Sequence, residues 1–282
     1  MKKLMKTGAL ILLASLVVAA TGAVVIWRAM DKPRYLPGMV RSEKKLRAPL
    51  APPPQAGDTN FWQMETEIRL YHFASGHGRP VLVIHGGPGR RQLKSWAGLE
   101  SLTPQYRFIY YDQRGCGHST RPIDHLDPHR YYQSMIQLET TLGLGAQIAD
   151  LERIRRILGE EKLMLIGHSF GGFLAALYAA EFPEHVASLV LVAPADVLVM
   201  PGHGELFAEV KARLPEDQRP DYDRWLQRYL DFKTVFSKSE TDWVALNHEF
   251  DRYYRRVTTT EFPESASIGG LDLSGADLRN HL

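Results

Sequence analysis

The chain has 282 residues, of which 44% are hydrophobic and 23% charged, so it can build an ordinary globular core in one or two domains. The net charge is +2 without a long basic block, and no zinc or RNA-binding spacing occurs, which argues against a nucleic-acid partner. The single cysteine, Cys116, excludes an intramolecular disulfide and a cysteine-rich metal site.

The first 30 residues differ in composition from the rest of the chain. Lysines close to the N-terminus precede an uncharged run over residues 7–27, and about 20 apolar residues suffice to cross a bilayer as a helix. A cleavable signal peptide has a shorter apolar region. Residues 20–22 resemble a cleavage site, but the apolar run continues beyond them. We therefore predict a membrane anchor or signal segment over residues 1–30, with an uncleaved anchor favoured and secretion after cleavage as the alternative.

The orientation of this anchor is ambiguous by the positive-inside rule, because basic residues lie on both sides of it. The short basic N-terminus favours export of the remaining chain, to the periplasm or cell surface. Residues 31–58 are basic and then proline-rich, ending in APLAPPPQAGD. This composition predicts a tether that is extended where the prolines cluster.

Beyond the tether, strand patterns alternate with helix patterns. The predicted strands cover, in chain order, residues 64–73, 81–84, 107–112, 162–166 and 188–193. The predicted helices cover residues 146–158 and 173–180, the first with apolar residues at helical spacing and a glycine stop. Strands separated by helices indicate an α/β core with a mostly parallel sheet covered on both faces. We place this core over residues 59–196.

The last part of the chain, residues 197–282, lacks a strongly apolar strand and is rich in Trp, Tyr, Glu and Arg. Residues 224–231 and 243–254 are predicted amphipathic helices. This pattern indicates a helical subdomain, which we interpret as a lid over the site described next.

The sequence GHSFG over residues 167–171 matches G-x-S-x-G between a predicted strand and a predicted helix. Such a turn projects the serine above the sheet in a strained conformation. Side chains two positions before and after it would collide, so glycine stands at both. The following helix directs its N-terminal amides toward a developing oxyanion. We therefore predict Ser169 as the catalytic nucleophile.

The sequence HGGPG over residues 85–89 follows an earlier strand, where a hydrolase of this kind needs a backbone N–H for its oxyanion hole. Glycine allows the main chain to approach the substrate carbonyl closely. We predict the amides of Gly87 and Phe170 as the two donors and Gly86 as a further substrate-binding position.

Three motifs in this order, HGGPG, DQRGCGHS and GHSFGG, resemble the α/β-hydrolase superfamily. They are most similar to its proline iminopeptidase branch, and the resemblance covers about residues 64–195. It implies an α/β-hydrolase fold with a helical lid, serine hydrolysis through an acyl-enzyme, and no metal or organic cofactor. The elbow of that branch usually reads Gly-Gly-Ser-Trp-Gly, whereas His168 and Phe170 flank the serine here, as in many esterases.

The resemblance also implies a substrate class. Aminopeptidases of this branch carry lid carboxylates that bind the free amine of the substrate near a Trp-rich segment. Trp243 and Glu249 lie in a comparable predicted helix, although with a different spacing, which makes Glu249 a candidate substrate-binding residue. We expect peptides with an N-terminal proline as substrates, with small esters or amides as the alternative.

Several residues near these motifs are interpreted as structural. Asp112 and Arg114 belong to a turn that is held by internal hydrogen bonds in this superfamily, and Cys116 is expected to be packed there. His85 is expected to organise the oxyanion loop, and His168 is excluded as the base because successive side chains of the elbow point in different directions.

The acid and base of a triad are harder to find. The chain order in this fold is serine, then acid, then histidine, and the candidates after the serine are Asp196, His185, His203, His248 and His281. No final strand precedes any of these histidines, so a solvated or structural role is expected for each. We expect the acid and base beyond Leu282, in roughly 50 to 70 further residues. A truncated, inactive hydrolase-like binding module is the rival interpretation, and the oligomeric state is left open.

Overall fold

The computed structural model describes residues 21–22, 36–42, 45–57, 60–87, 89–123, 125–195, 206–231 and 233–258. Its six strands form one sheet: β1 Phe61–Glu65, β2 Ile68–Gly76, β3 Arg79–Ile84, β4 Tyr106–Tyr111, β5 Leu163–His168 and β6 Val186–Val192. Their spatial order is β1-β2-β4-β3-β5-β6. The pairs β1/β2 and β2/β4 are antiparallel, and the other three pairs are parallel. The predicted mostly parallel sheet is therefore confirmed.

The predicted single strand over residues 64–73 is wrong, because the structure has a hairpin there. Thr66 and Glu67 form the turn between β1 and β2, and Glu65 pairs with Ile68. Met64, Ile68 and Leu70 are all buried, and exposed Thr66 in the turn is the single interruption of this two-residue spacing. Alternation alone therefore could not show where the chain reverses.

Seven helices occur in the described part of the chain: α1 Met39–Ser42, α2 Tyr131–Leu142, α3 Leu144–Ile157, α4 Phe170–Glu181, α5 Leu206–Arg213, α6 Arg219–Tyr229 and α7 Glu240–Thr258. The helices predicted over residues 146–158 and 173–180 correspond to α3 and α4. Helix α4 begins three residues earlier than predicted, because the turn that carries Ser169 leads directly into it. Helix α2 was not predicted, since it exposes Tyr132 and Ile136 and so lacks one clean apolar face.

Helices α5, α6 and α7 share an apolar cluster of their own. Trp225 and Trp243 are almost fully buried in it, and the indole N–H of Trp225 donates to the carbonyl of Leu246 at 2.8 Å. Two of these helices, α6 and α7, lie where residues 224–231 and 243–254 were predicted to be helical. The aromatic residues of this segment thus stabilise the helices against one another.

The described part of the predicted tether is bonded to the core. The guanidinium of Arg153 in α3 donates to the carbonyls of Arg47 (2.5 Å) and Pro49 (2.8 Å). The carboxylate of Glu181 in α4 accepts the N–H of Val40 at 3.0 Å. These contacts hold the chain against α3 and α4 before it enters β1.

None of the helices in the described residues is long and apolar enough to cross a membrane. The predicted anchor over residues 1–30 lies outside the described residues, except for positions 21 and 22.

Candidate active site

Ser169 lies between β5 and α4 in a conformation that residues other than glycine rarely adopt. Its φ is 51° and its ψ is −121°. Its N–H donates to the carbonyl of Val192 in β6 (3.0 Å), and its own carbonyl accepts the N–H of Gly172 (2.9 Å) and of Ala195 (2.9 Å). Because the neighbouring strand and the following helix both bind this backbone, the fold holds the strained turn in place.

The glycines on either side of the serine are required by close backbone contacts. A Cβ on Gly167 would lie 2.4 Å from the carbonyl oxygen of Gly171. A Cβ on Gly171 would lie 2.2 Å from the carbonyl oxygen of Ile84 at the end of β3. Backbone atoms cannot move aside cheaply, so the turn approaches β3 this closely only with glycine at 171, and β5 approaches the start of α4 this closely only with glycine at 167.

The loop after β3 carries the predicted oxyanion donors and is called the oxyanion loop; its described residues, 85–87 and 89–91, lie beside the serine. A Cβ on Gly86 would lie 3.0 Å from the Cβ of Ser169, and Gly87 has a φ of +125°. Phe170 is the first residue of α4, and the first N–H groups of a helix have no partner within it. The structure thus brings four of the predicted site residues together: Ser169, Gly86, Gly87 and Phe170.

His85 joins the oxyanion loop to the loop after β4. Its Nδ1 lies 2.8 Å from the carbonyl of Gly86, and its Nε2 accepts the N–H of Gln113 at 3.1 Å. The side-chain amide of Gln113 donates back to the carbonyl of His85 at 2.9 Å. Burial lowers the pKa of His85 to about 4, so the ring is neutral near pH 7 and carries its proton on Nδ1. A neutral, fully bonded imidazole of this kind acts as a positioning group.

The loop after β4 is held by buried ion pairs and hydrogen bonds. Arg114, fully buried, donates to both oxygens of Asp150 at 2.6 Å and to Glu65 at 2.7 Å. Asp112 accepts the N–H of His118 at 2.8 Å, and burial raises the pKa of its carboxyl group. Asp112 and Arg114 therefore have the structural contacts that were predicted for them, and the predicted packing of Cys116 is confirmed by its full burial.

The described histidines do not bind the hydroxyl of the serine. Within the part of the chain that the structure describes, the Oγ of Ser169 has no hydrogen-bond partner. His185 bonds instead to Glu152 at 3.0 Å, and His248 is exposed on α7. His168 has its pKa lowered by burial and by the nearby charge of Arg90. The other candidates for acid and base, Asp196, His203 and His281, lie outside the described residues. Nor do the described residues contain a cluster of three His, Cys, Asp or Glu side chains that could hold a metal ion.

Comparison with known proteins assigns the chain to a family. The family model described as alpha/beta hydrolase fold matches residues 79–264. The chain belongs to this family. Similar curated relatives are the proline iminopeptidase of Heyndrickxia coagulans (37% identity, 43% of this chain, 36% of the relative) and the probable proline iminopeptidase of Streptomyces coelicolor (35%, 58% and 48%). The crystal structure of VinJ is similar with a TM-score of 0.46 at 23% identity, covering 76% of this chain and 64% of VinJ. The chain spans between a third and a half of the length of these two curated relatives. Among α/β-hydrolases, it resembles the proline iminopeptidase branch.

Two acidic residues of α7 lie on different faces of this helix. Asp251 accepts from the guanidinium of Arg90, in the oxyanion loop, at 2.5 Å. Glu249 accepts from Arg228 of α6 with both oxygens at 2.7 Å. Residues two apart on a helix are separated by a rotation of about 200°, so their side chains lie on nearly opposite faces. The predicted substrate-binding residue, Glu249, is therefore placed against α6, while Asp251, which was not predicted, contacts the oxyanion loop.

Proposed function

We propose that this α/β-hydrolase is a serine hydrolase that acts through an acyl-enzyme on Ser169. The observation that carries the proposal is the strained backbone of Ser169, with φ 51°, at the end of a central strand and directly beside the oxyanion loop. A serine in an ordinary strand-to-helix turn has no need of this conformation. Strain of this kind, held by the surrounding fold, is characteristic of functional positions.

In the proposed reaction, Oγ of Ser169 attacks the substrate carbonyl and its proton passes to a general base. The negative charge that develops on the carbonyl oxygen is stabilised by the N–H groups of Gly87 and Phe170 and by the positive end of the α4 dipole. The amine or alcohol then leaves with a proton, and water releases the acyl group in a second, equivalent step. We place the acid and the base outside the described residues, since none of the described histidines bonds to Ser169.

For the substrate, we propose a peptide with an N-terminal proline. The similarity to proteins named proline iminopeptidase supports this choice. Small esters or amides are the second candidate, because His168 and Phe170 flank the nucleophile in place of Gly and Trp. The proposed contact of Gly86 with substrate fits its position beside Ser169. The proposed contact of Glu249 with a substrate amine requires its bond to Arg228 to open.

A fluorophosphonate probe tests the nucleophile. In a protein that contains the general base together with these residues, we expect covalent labelling of Ser169, loss of labelling in Ser169→Ala, and unchanged labelling in Ser101→Ala, an exposed serine remote in sequence from the elbow. A folded protein of this kind that is not labelled would contradict the proposal, and these 282 residues folded but unlabelled would favour the binding-module interpretation for this chain. Comparing hydrolysis of a prolyl arylamide with that of a short acyl ester decides the substrate class, since turnover of the ester alone excludes the aminopeptidase.

The remaining predictions from sequence stay proposals. They are the division into a core over residues 59–196 and a lid over 197–282, the anchor or signal segment over 1–30, and a location on the extracytoplasmic side of a membrane. Expression of the full chain with fractionation into soluble and membrane material tests the anchor, and digestion by a protease added to intact cells tests the location.

A further inference from the structure

One ion pair connects the oxyanion loop to the lid. The guanidinium of Arg90 and the carboxylate of Asp251 lie 2.5 Å apart, and their side chains are only 26% and 10% exposed. The two residues are 161 positions apart in the chain. An ion pair shielded from water to this extent is stronger than one on the open surface, so it favours one position of α7 relative to the loop.

The main chain of Arg90 belongs to the same hydrogen-bond network as the predicted oxyanion donors. Its N–H donates to the carbonyl of Gly86 at 3.2 Å, the same oxygen that lies 2.8 Å from Nδ1 of His85. Gly87, whose amide is one proposed donor, lies inside this turn. A displacement of Arg90 therefore changes the orientation of the peptide groups that face Ser169.

The next residue, Arg91, extends toward the core instead. Its guanidinium lies 3.8 Å from the carboxylate of Asp112. The loop thus has a core-facing ion pair through Arg91 and a lid-facing ion pair through Arg90. Burial of the core-facing pair and the bonds of His85 fix one side of the loop, whereas the other side depends on the position of the lid.

We propose that Arg90 is a positioning residue of the oxyanion hole and that Asp251 holds it in place, so that docking of helix α7 and ordering of the oxyanion loop are coupled. The catalytic meaning of this coupling rests on the proposed serine-hydrolase function, but the coupling itself is a property of the fold. Linkage between two such sites is reciprocal. Loss of either partner must therefore loosen both segments.

Hydrogen exchange of the full chain tests the coupling without relying on activity. In Arg90→Ala and in Asp251→Asn, we expect amides of the oxyanion loop and of α7 to exchange about tenfold faster than in the wild type, as expected when local opening becomes easier. Exchange in β3 and β5 should stay unchanged, which shows that the variants remain folded.

Matched controls are available inside the lid. Arg224 and Asp221 form an ion pair within α6, so Arg224→Ala and Asp221→Asn remove the same groups without touching the oxyanion loop. These two variants should leave exchange of the loop at the wild-type rate. The charge-swapped double variant Arg90→Asp/Asp251→Arg should return loop exchange toward the wild-type rate, because it restores the pair in reverse.

Unchanged loop exchange in Arg90→Ala would overturn the proposal, and so would faster exchange in Arg90→Ala without the same effect in Asp251→Asn. Fluorophosphonate labelling separates this inference from the proposed function. A folded protein that contains the general base and is not labelled contradicts the serine hydrolase, yet exchange still decides the coupling. If the wild type is labelled, slower labelling of both variants supports the positioning role, and labelling at the wild-type rate refutes it.

Discussion

Replacing Gly171 by alanine would force the turn that carries Ser169, called the elbow, away from the central strand β3. The new Cβ would lie 2.2 Å from the carbonyl oxygen of Ile84 and 2.5 Å from that of His85, whereas real contacts of this kind are almost never shorter than 3.0 Å. The elbow would have to move by at least 0.8 Å. Because Ile84 pairs with Gly167 in the sheet, this movement would also distort the ladder between β3 and β5.

The size of the effect follows from two opposing contributions. Alanine is favoured over glycine in a helix such as α4 by about 1 kcal/mol. Forcing a methyl group against immobile backbone costs about 3 kcal/mol, at the upper end of the usual range for overpacking. We therefore expect Gly171→Ala to lower the free energy of unfolding by about 2 kcal/mol and to abolish labelling of Ser169 by a fluorophosphonate.

Urea denaturation followed by circular dichroism measures this change. Gly98→Ala is the matched control, because a Cβ at Gly98 has no atom within 4 Å, and its free energy of unfolding should stay within about 0.5 kcal/mol of the wild type. If Gly171→Ala is as stable as the wild type, close packing of the elbow against β3 does not require glycine at 171, and the steric explanation fails.

Two further predictions concern buried charges. Asp150→Ala leaves the guanidinium of Arg114 buried without its main partner, and we expect a loss of about 3–5 kcal/mol in urea denaturation. For Asp221→Ala, which removes an exposed ion-pair partner, we expect a loss of less than about 1 kcal/mol, and equal losses in the two variants would contradict the assignment. Burial raises the pKa of Glu152, but hydrogen bonds from two arginines and a tyrosine outweigh this and lower it to about 2, from an ordinary 4.5. The stabilisation of the fold by ionised Glu152 is thus complete above about pH 4.5 and is lost as the pH falls toward 2. Glu152→Gln should therefore remove up to about 3 kcal/mol of the acid-induced loss in the free energy of unfolding. A variant whose stability falls with pH in the same way as that of the wild type would refute this role of Glu152.

Much of the fold could be predicted from short stretches of sequence. An apolar segment that ends on GHSFGG can be interpreted without long-range information, because strand, strained turn and helix follow one another within a few residues. The parallel strands and the aromatic lid helices were predictable for the same reason. The hairpin at Thr66 and Glu67 was not predictable, since the same alternation of buried residues resumes directly after the turn. Helix α2 was not predictable either, because its apolar residues point both inward and outward.

The missed part of the site depends on helix phase and on contacts between distant segments. Glu249 was favoured because of its proximity in sequence to Trp243. The structure pairs it with Arg228, while Asp251, two residues later, faces the oxyanion loop. No local pattern indicates that Arg90 meets a residue 161 positions away. Only the packing of α7 against the core brings Arg90 and Asp251 together.

The oxyanion loop therefore combines a rigid side with an adjustable one. On the core side, His85 can donate to Gly86 and accept from Gln113 only while its ring is neutral, and burial keeps its pKa at about 4. That side is preorganised at neutral pH whether or not substrate is present, as the proposed stabilisation of an oxyanion requires. On the side that faces α7, we propose that the order of the loop depends on Arg90 and Asp251 and hence on where α7 docks. In the proposed serine hydrolase, a substrate that favours the docked α7 would also favour the ordered loop, and its binding far from the scissile bond would raise the rate of acylation as well as the affinity.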